Sequence, residues 1–198
     1  MISAPTTKIA SLRGRRIQLR LHDGVSPHLR SLLRQVEPFP AAVQDGRWQI
    51  LAFNRGYDAL FNLESVPERS RNAILLYFTD PQLRRQIPEW QVDAPRVVSQ
   101  VRAAMARHAT DPAWTALLDR LRRGSPEFDR LWCEGDGWFP GNATQRFVHP
   151  VVGSLRLAPY HLWSEPRPDG LAAVGYRPAD AATAAKLPRL QALSTLAR

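Results

Sequence analysis

The sequence predicts an α+β fold, an antiparallel sheet of about five strands covered by a central helical block. Three observations carry this. In Arg146-Phe147-Val148-His149-Pro150-Val151-Val152-Gly153-Ser154-Leu155-Arg156-Leu157, apolar side chains alternate on either side of a Pro/Gly break. That spacing sets Phe147 and His149 on one face of a strand, and Leu155 and Leu157 on one face of the next. Between Val97 and Trp132 the apolar residues instead recur at helical spacing. Ahead of the helices, two short apolar runs flank Asp45-Gly46 as a hairpin would. A sheet with one apolar face needs a cover, and the helices supply it.

Residues 1–24 have no sustained helical period and are interrupted by Gly14 and Gly24. They are expected to be a flexible basic segment. Ser26 caps a helix whose first turn holds Pro27. Leu29, Leu32, Leu33 and Val36 follow on one side, and the helix ends before Pro38. The hairpin pairs Ala41–Gln44 with Trp48–Phe53. Strict alternation there places Trp48, Ile50 and Ala52 on one face, with Leu51 and Phe53 on the other. Asn54 caps a short helix carrying Tyr57, Leu60 and Phe61, and a polar connection runs from Val66 to Ser70. Asn72 to Phe78 is apolar all round, hence buried. Asp80-Pro81 starts a helix reaching Ile87, and Trp90 lies just beyond Pro88.

In the helical block, Val97, Val98, Val101, Ala104, Met105 and His108 share a face. Asp111-Pro112 opens the next helix, with Trp114, Leu117, Leu118 and Leu121 inward, until Gly124 stops it. Ser125-Pro126 restarts, turning Phe128, Leu131 and Trp132 inward, with Cys133 expected beside them as a small buried hydrophobe. Gly135 to Gly141 is turn-rich. Strands follow at about 144–149, 154–163 and 171–177, the last two joined through Pro166 and Asp169-Gly170. Residues 179–197 form an Ala/Leu-rich helix broken at Pro188. Two strands, several helices, then three antiparallel strands is the PAS-type order. The expected domain is 25–178, between the segment 1–24 and a C-terminal helix at 179–198.

Composition narrows function. A chain of 198 residues with 44% hydrophobic content supports one well-buried core. No run of about 18 apolar residues exists, so no membrane insertion is expected. No apolar signal region follows the start, and the lone Cys133 cannot form an internal disulfide; the cytoplasm is the expected compartment. The net charge of +9 is uneven: residues 1–36 hold seven basic side chains against Asp23 alone. Such a front allows at most weak, non-specific, salt-sensitive nucleic-acid binding.

Enzymatic chemistry finds no support. There is no Gly-x-Ser-x-Gly, no Gly-rich phosphate loop and no His-Glu-x-x-His, so no catalytic residues, metal ligands or cofactor are expected. His149 and His161 sit on strands, where each makes a structural hydrogen bond or, for His149, meets a ligand's polar head. The large side chains are numerous for a small sheet to cover, among them Trp90, Trp114, Trp132, Phe128, Phe53, Phe61, Phe147 and Met105. They fill a core or line an apolar cavity; composition alone does not decide.

An ordered set of stations gives this sequence a family resemblance. They are Ser26-Pro27-His28-Leu29, Arg47-Trp48-Gln49-Ile50-Leu51-Ala52-Phe53-Asn54-Arg55, Phe78-Thr79-Asp80-Pro81 leading to Pro88-Glu89-Trp90, Ser125-Pro126-Glu127-Phe128 with Leu131-Trp132, and Phe147-x-His149-Pro150-x-x-Gly153-x-Leu155-x-Leu157. Over Val25 to about Pro178 the chain resembles the ligand-binding domain of MmyB-like transcription regulators, a branch of the XRE helix-turn-helix regulators common in actinobacteria. The resemblance implies a PAS-like fold and a hydrophobic pocket for an apolar small molecule, with fatty acid as the ligand class. Phe53, Phe61, Leu76, Trp90, Val101, Met105, Trp132, Phe147, His149 and Leu157 are the expected ligand-binding residues. It also implies a homodimer, or a heterodimer with a related regulator, for which the helix Val25 to Val36 offers an exposed interface. Two departures stand out. Gly135 precedes Asp136 where the family usually has histidine, and 24 residues are too few for the helix-turn-helix domain that precedes the first station in relatives. The expectation is a sensor without its own base-reading domain.

Overall fold

The computed structural model describes residues 25–108, 110–135, 144–163 and 170–194. The basic segment 1–24, residues 136–143 of the turn-rich stretch and residues 164–169 of the last hairpin loop lie outside the described residues.

Helix starts follow their capping chemistry. Helix α1 (Pro27–Gln35) begins where Ser26 Oγ accepts the Leu29 N–H. Asn54, Asn72, Asp80, Asp111, Ser125 and Asp180 do the same for α2 (Arg55–Phe61), α3 (Ala73–Thr79), α4 (Pro81–Gln86), α6 (Pro112–Gly124), α7 (Pro126–Glu134) and α8 (Ala181–Gln191). The long helix α5 (Trp90–Ala106) carries Pro95 in its second turn. Two 3-10 turns, Leu63–Ser65 and Glu68–Ser70, form the polar connection after α2.

Strands β1 (Ala41–Gln44), β2 (Ile50–Phe53), β3 (Gln145–His149), β4 (Gly153–Trp163) and β5 (Ala172–Pro178) make one antiparallel sheet in the order β2-β1-β5-β4-β3. The first two strands thus pair with the last three across the helical block, which is the expected PAS-like arrangement. The main core lies between one sheet face and helices α2 to α8, with Phe128, Phe147, Leu155, Leu157, Leu187 and Leu190 at its centre.

Five details depart from expectation. Strict alternation fails in β2, because Ala42 pairs with Phe53 and Val43 with Ala52, but Gln44 pairs with Ile50. The extra residue, Leu51, is a bulge, so Ile50 and Phe53 both face the main core while Ala52 faces away. Trp48 is not in the strand but in a left-handed turn at φ 62. The helix α1 is not a free interface: its Leu33 is buried on the opposite sheet face against Val25, Ala41, Val43 and Ala52. Pro188 does not break α8, which runs through to Gln191 with Leu187 and Leu190 fully buried. Pro188 is tolerated because its ring, set between those two buried leucines, is on the exposed side. Cys133 is exposed; one residue past Trp132, it points away from the core that Phe128 and Leu131 enter.

Gly56 fixes how α2 meets the sheet. A Cβ there would lie 2.7 Å from the Pro38 carbonyl oxygen and 3.2 Å from the Pro40 nitrogen. The first turn of α2 therefore rests directly on the backbone leading into β1.

Candidate functional site

The large apolar residues separate into two groups. In the helical block, Tyr77, Phe78, Trp90, Phe128 and Trp132 form a continuous run of ring contacts, with centroids 4.9–5.7 Å apart. Arg84 and Arg102 close its outer side, their guanidinium carbons 4.1 Å over Trp90 and 4.5 Å over Trp132. Trp90 Nε1 donates to the Tyr77 carbonyl at 2.9 Å, and Tyr77 donates its hydroxyl proton to Asp93 Oδ2 at 3.2 Å. Burial, reinforced by the Asp93 charge, pushes the Tyr77 hydroxyl far above its ordinary value, so it stays a donor. Asp93 in turn accepts two hydrogen bonds from Arg96, at 2.8 and 3.0 Å. This group is a filled, polar-anchored stack.

The second group lies in the seam between sheet and helices. Phe61 on α2 meets Phe147 on β3 at 5.9 Å and Tyr176 on β5 at 5.8 Å, with Tyr57 at 4.5 Å. Phe147 and Tyr176 meet edge to face at 5.9 Å. These rings do not close completely. They border a void of about 60 Å³, completed by Leu76 on α3, Leu83 on α4 and Ile87 just past it. At roughly 30 Å³ per water, that is about two waters of space. The hydrophobic pocket that the resemblance implies is thus nearly filled as it stands, because the rings reach across the seam from both layers.

Besides Tyr77, whose hydroxyl is held by Asp93, and Gln145, the void is bordered by Tyr57 and Tyr176. Tyr57 accepts a hydrogen bond from Gln44 Nε2 at 3.3 Å, and burial raises its pKa well above the ordinary value. Tyr176 makes no hydrogen bond among the described residues, and burial pushes its hydroxyl up to about 12. Half-buried and protonated, the Tyr176 phenol is a proton donor open to an acceptor.

Of the ten expected ligand-binding residues, Phe61, Leu76 and Phe147 border this void. Trp90 and Trp132 belong to the filled stack, and Phe53, Val101, Met105 and Leu157 pack in the main core away from the opening. His149 lies elsewhere. Its Nδ1 accepts the N–H groups of Val151 and Val152 at 3.2 and 3.4 Å, which leaves the proton on Nε2, 3.2 Å from the Ala59 carbonyl. Both ring nitrogens are engaged, and burial lowers its pKa. It is therefore a neutral structural clamp between the β3–β4 turn and α2. His161 is exposed.

The tyrosines and Ile87 were not among the expected residues. Tyr57 stands four before Phe61, one helical turn, which is the signal that pairs them. For Tyr176 nothing local distinguishes a lining residue from a filler. Further clefts open on the surface, and two of them are described by their lining. One, of about 490 Å³, lies between α2, α4 and the β3–β4 turn. The other, of about 350 Å³, lies at the start of β3, and its Arg96, Arg146 and Arg156 already pair with Asp93, Glu89 and Asp180. Among the described residues no three His, Cys, Asp or Glu side chains gather as a metal site, and no helix is long and apolar enough to cross a membrane.

Residues 25–190 match a family model described as MmyB-like transcription regulator ligand binding domain. No curated protein matches the sequence.

Proposed function

Because the chain belongs to the MmyB-like transcription regulator ligand-binding domains, we propose that it senses a small apolar molecule with an acceptor head, fatty acids being the class to test. The seam void is the proposed site, and the unpartnered Tyr176 hydroxyl beside it is the observation that carries the reading. A carboxylate would accept the Tyr176 proton, and the chain would displace the loosely touching rings of Phe61 and Phe147. The void as it stands holds far less than the 300 Å³ or so of a small-molecule site, so binding requires α3 and α4 to move off the sheet. That movement is the response. A guest that separates two core layers shifts the protein between a closed and an open packing, and such packings are bistable. The reading assigns binding and no chemical step.

The test is thermal stability of the whole chain with saturated fatty acids of increasing length. At a hundredfold excess over Kd, a bound ligand raises Tm by roughly 5–10 °C. Tyr176→Phe keeps the ring contacts and removes the donor, so affinity should fall by about tenfold to a hundredfold, the loss of one hydrogen bond to a charged group. An unchanged Tm across all lengths would refute a fatty-acid ligand.

A further inference from the structure

We propose a second ligand site, in the 490 Å³ cleft between α2, α4 and the β3–β4 turn, that takes a small α-amino acid with an aliphatic side chain. The proposal does not rest on the seam reading, since α4 separates the two: Leu83 borders the seam, whereas Arg85 and Gln86 border the cleft. Its volume is that of a small-molecule site.

Two charged groups border it. Asp58 is a carboxylate 3% exposed, and among the described residues its oxygens accept from neutral donors, the Glu64 N–H at 2.9 Å and the Ser194 hydroxyl at 2.5 Å. A buried carboxylate without a cation is a costly arrangement that an ammonium group relieves. On the facing helix, Gln86 borders the cleft, while its Oε1 is sealed from solvent and has no hydrogen-bond partner among the described residues. Beside it, Arg85 is exposed and pairs with no acidic side chain among the described residues. Guanidinium is suited to holding a carboxylate through two parallel hydrogen bonds. The rest of the lining mixes the polar Asn62, Gln82 and His149 with apolar side chains. Val148, Val151 and Leu193 are three of the five large hydrophobic side chains left exposed among the described residues, and all three border it.

The ligand chemistry follows from these groups together. Among the described residues the cleft offers a carboxylate without a cation, a cation without a carboxylate, and exposed apolar side chains. An α-amino acid answers all three, with ammonium toward Asp58, carboxylate on Arg85 and the side chain against the valines. A fatty acid leaves Asp58 unmet, and an aliphatic amine leaves Arg85 unmet. The neighbouring arginine-rich cleft lacks this open valence, since each of its guanidinium groups already holds a carboxylate.

The test is calorimetric titration of the full chain with L-leucine, and with 4-methylpentanoate, isoamylamine and glycine, which lack the ammonium, the carboxylate and the side chain in turn. L-Leucine should bind, with each truncated probe weaker by at least about tenfold, the cost of one lost charged contact. Arg85→Gln and Asp58→Asn should each weaken L-leucine by a similar factor, roughly tenfold. Arg85 is exposed, so that variant keeps the fold, and its response to fatty acid should match that of the unaltered chain. L-Leucine binding should also persist in Tyr176→Phe, which separates this site from the seam. No heat with millimolar L-leucine on folded protein would overturn the proposal. So would 4-methylpentanoate binding as tightly as L-leucine, or an affinity indifferent to Arg85→Gln.

Discussion

Single residues hold this fold through bonds that the sequence signals only in part. Asn54 is recognisable as a helix cap, and its Oδ1 accepts the Tyr57 N–H. Its other bonds are long-range: Oδ1 also accepts from Ala41 N–H, while Nδ2 donates to the carbonyls of Leu33 and Phe39. One buried amide thus ties α1, β1 and α2 together. Asn54→Ala should cost about 3 kcal/mol in denaturant unfolding, since it strands several buried groups worth roughly 1–3 kcal/mol each. His149 gives a pH signature. Its pKa is lowered in the fold by burial, so the unfolded chain binds the extra proton first. Its contribution is present above the ordinary histidine value of about 6.5 and fades as pH falls below it. Protonation would also remove the Nδ1 acceptor used by Val151 and Val152. Melting curves between neutral and mildly acidic pH should show this loss, and His149→Asn, which keeps an acceptor near Nδ1, should reduce it, leaving the part due to His161, whose pKa desolvation also lowers.

Elements were the most legible level, because caps and periodicity are local. The helix starts at Ser26, Asn54, Asp80, Asp111 and Ser125 all stand where the sequence puts them. What failed depended on neighbours. The β2 bulge answers to β1, and a bulge shifts every later side chain to the other face. The role of α1 follows from β1, whose residues are buried on both faces. The run Ala41-Ala42-Val43, apolar without alternation, was the available sign of a second cover. Docking of α8 is tertiary as well: Leu187 and Leu190 enter the main core, and Thr183 Oγ accepts the Arg156 N–H where β5 has ended. Leu187→Ala should therefore destabilise the whole domain by about 2–5 kcal/mol, as a core cavity does, with unchanged cooperativity in denaturant. Gly56→Ala should cost roughly 1–3 kcal/mol by pressing a methyl on the Pro38 carbonyl.

At the scale of the molecule, sheet class and strand count were readable, while the site was readable only as a list of large side chains. Whether rings fill a seam or leave a gap depends on distances of an ångström, which no periodicity encodes. Phe61, Leu76 and Phe147 border the void, whereas Trp90 and Trp132 close a solid stack. Hydropathy cannot tell those sets apart, and the same blindness hides Asp58, Arg85 and Gln86. The central claim is that an apolar guest parts the sheet from α3 and α4. Photo-crosslinking with a diazirine-bearing fatty acid, followed by peptide mapping, tests it most directly. Labels should fall on α3 around Leu76 and on β3 around Phe147, and should diminish in Tyr176→Phe. Labels confined to the surface around Val148 and Leu193, or spread without preference, would contradict it.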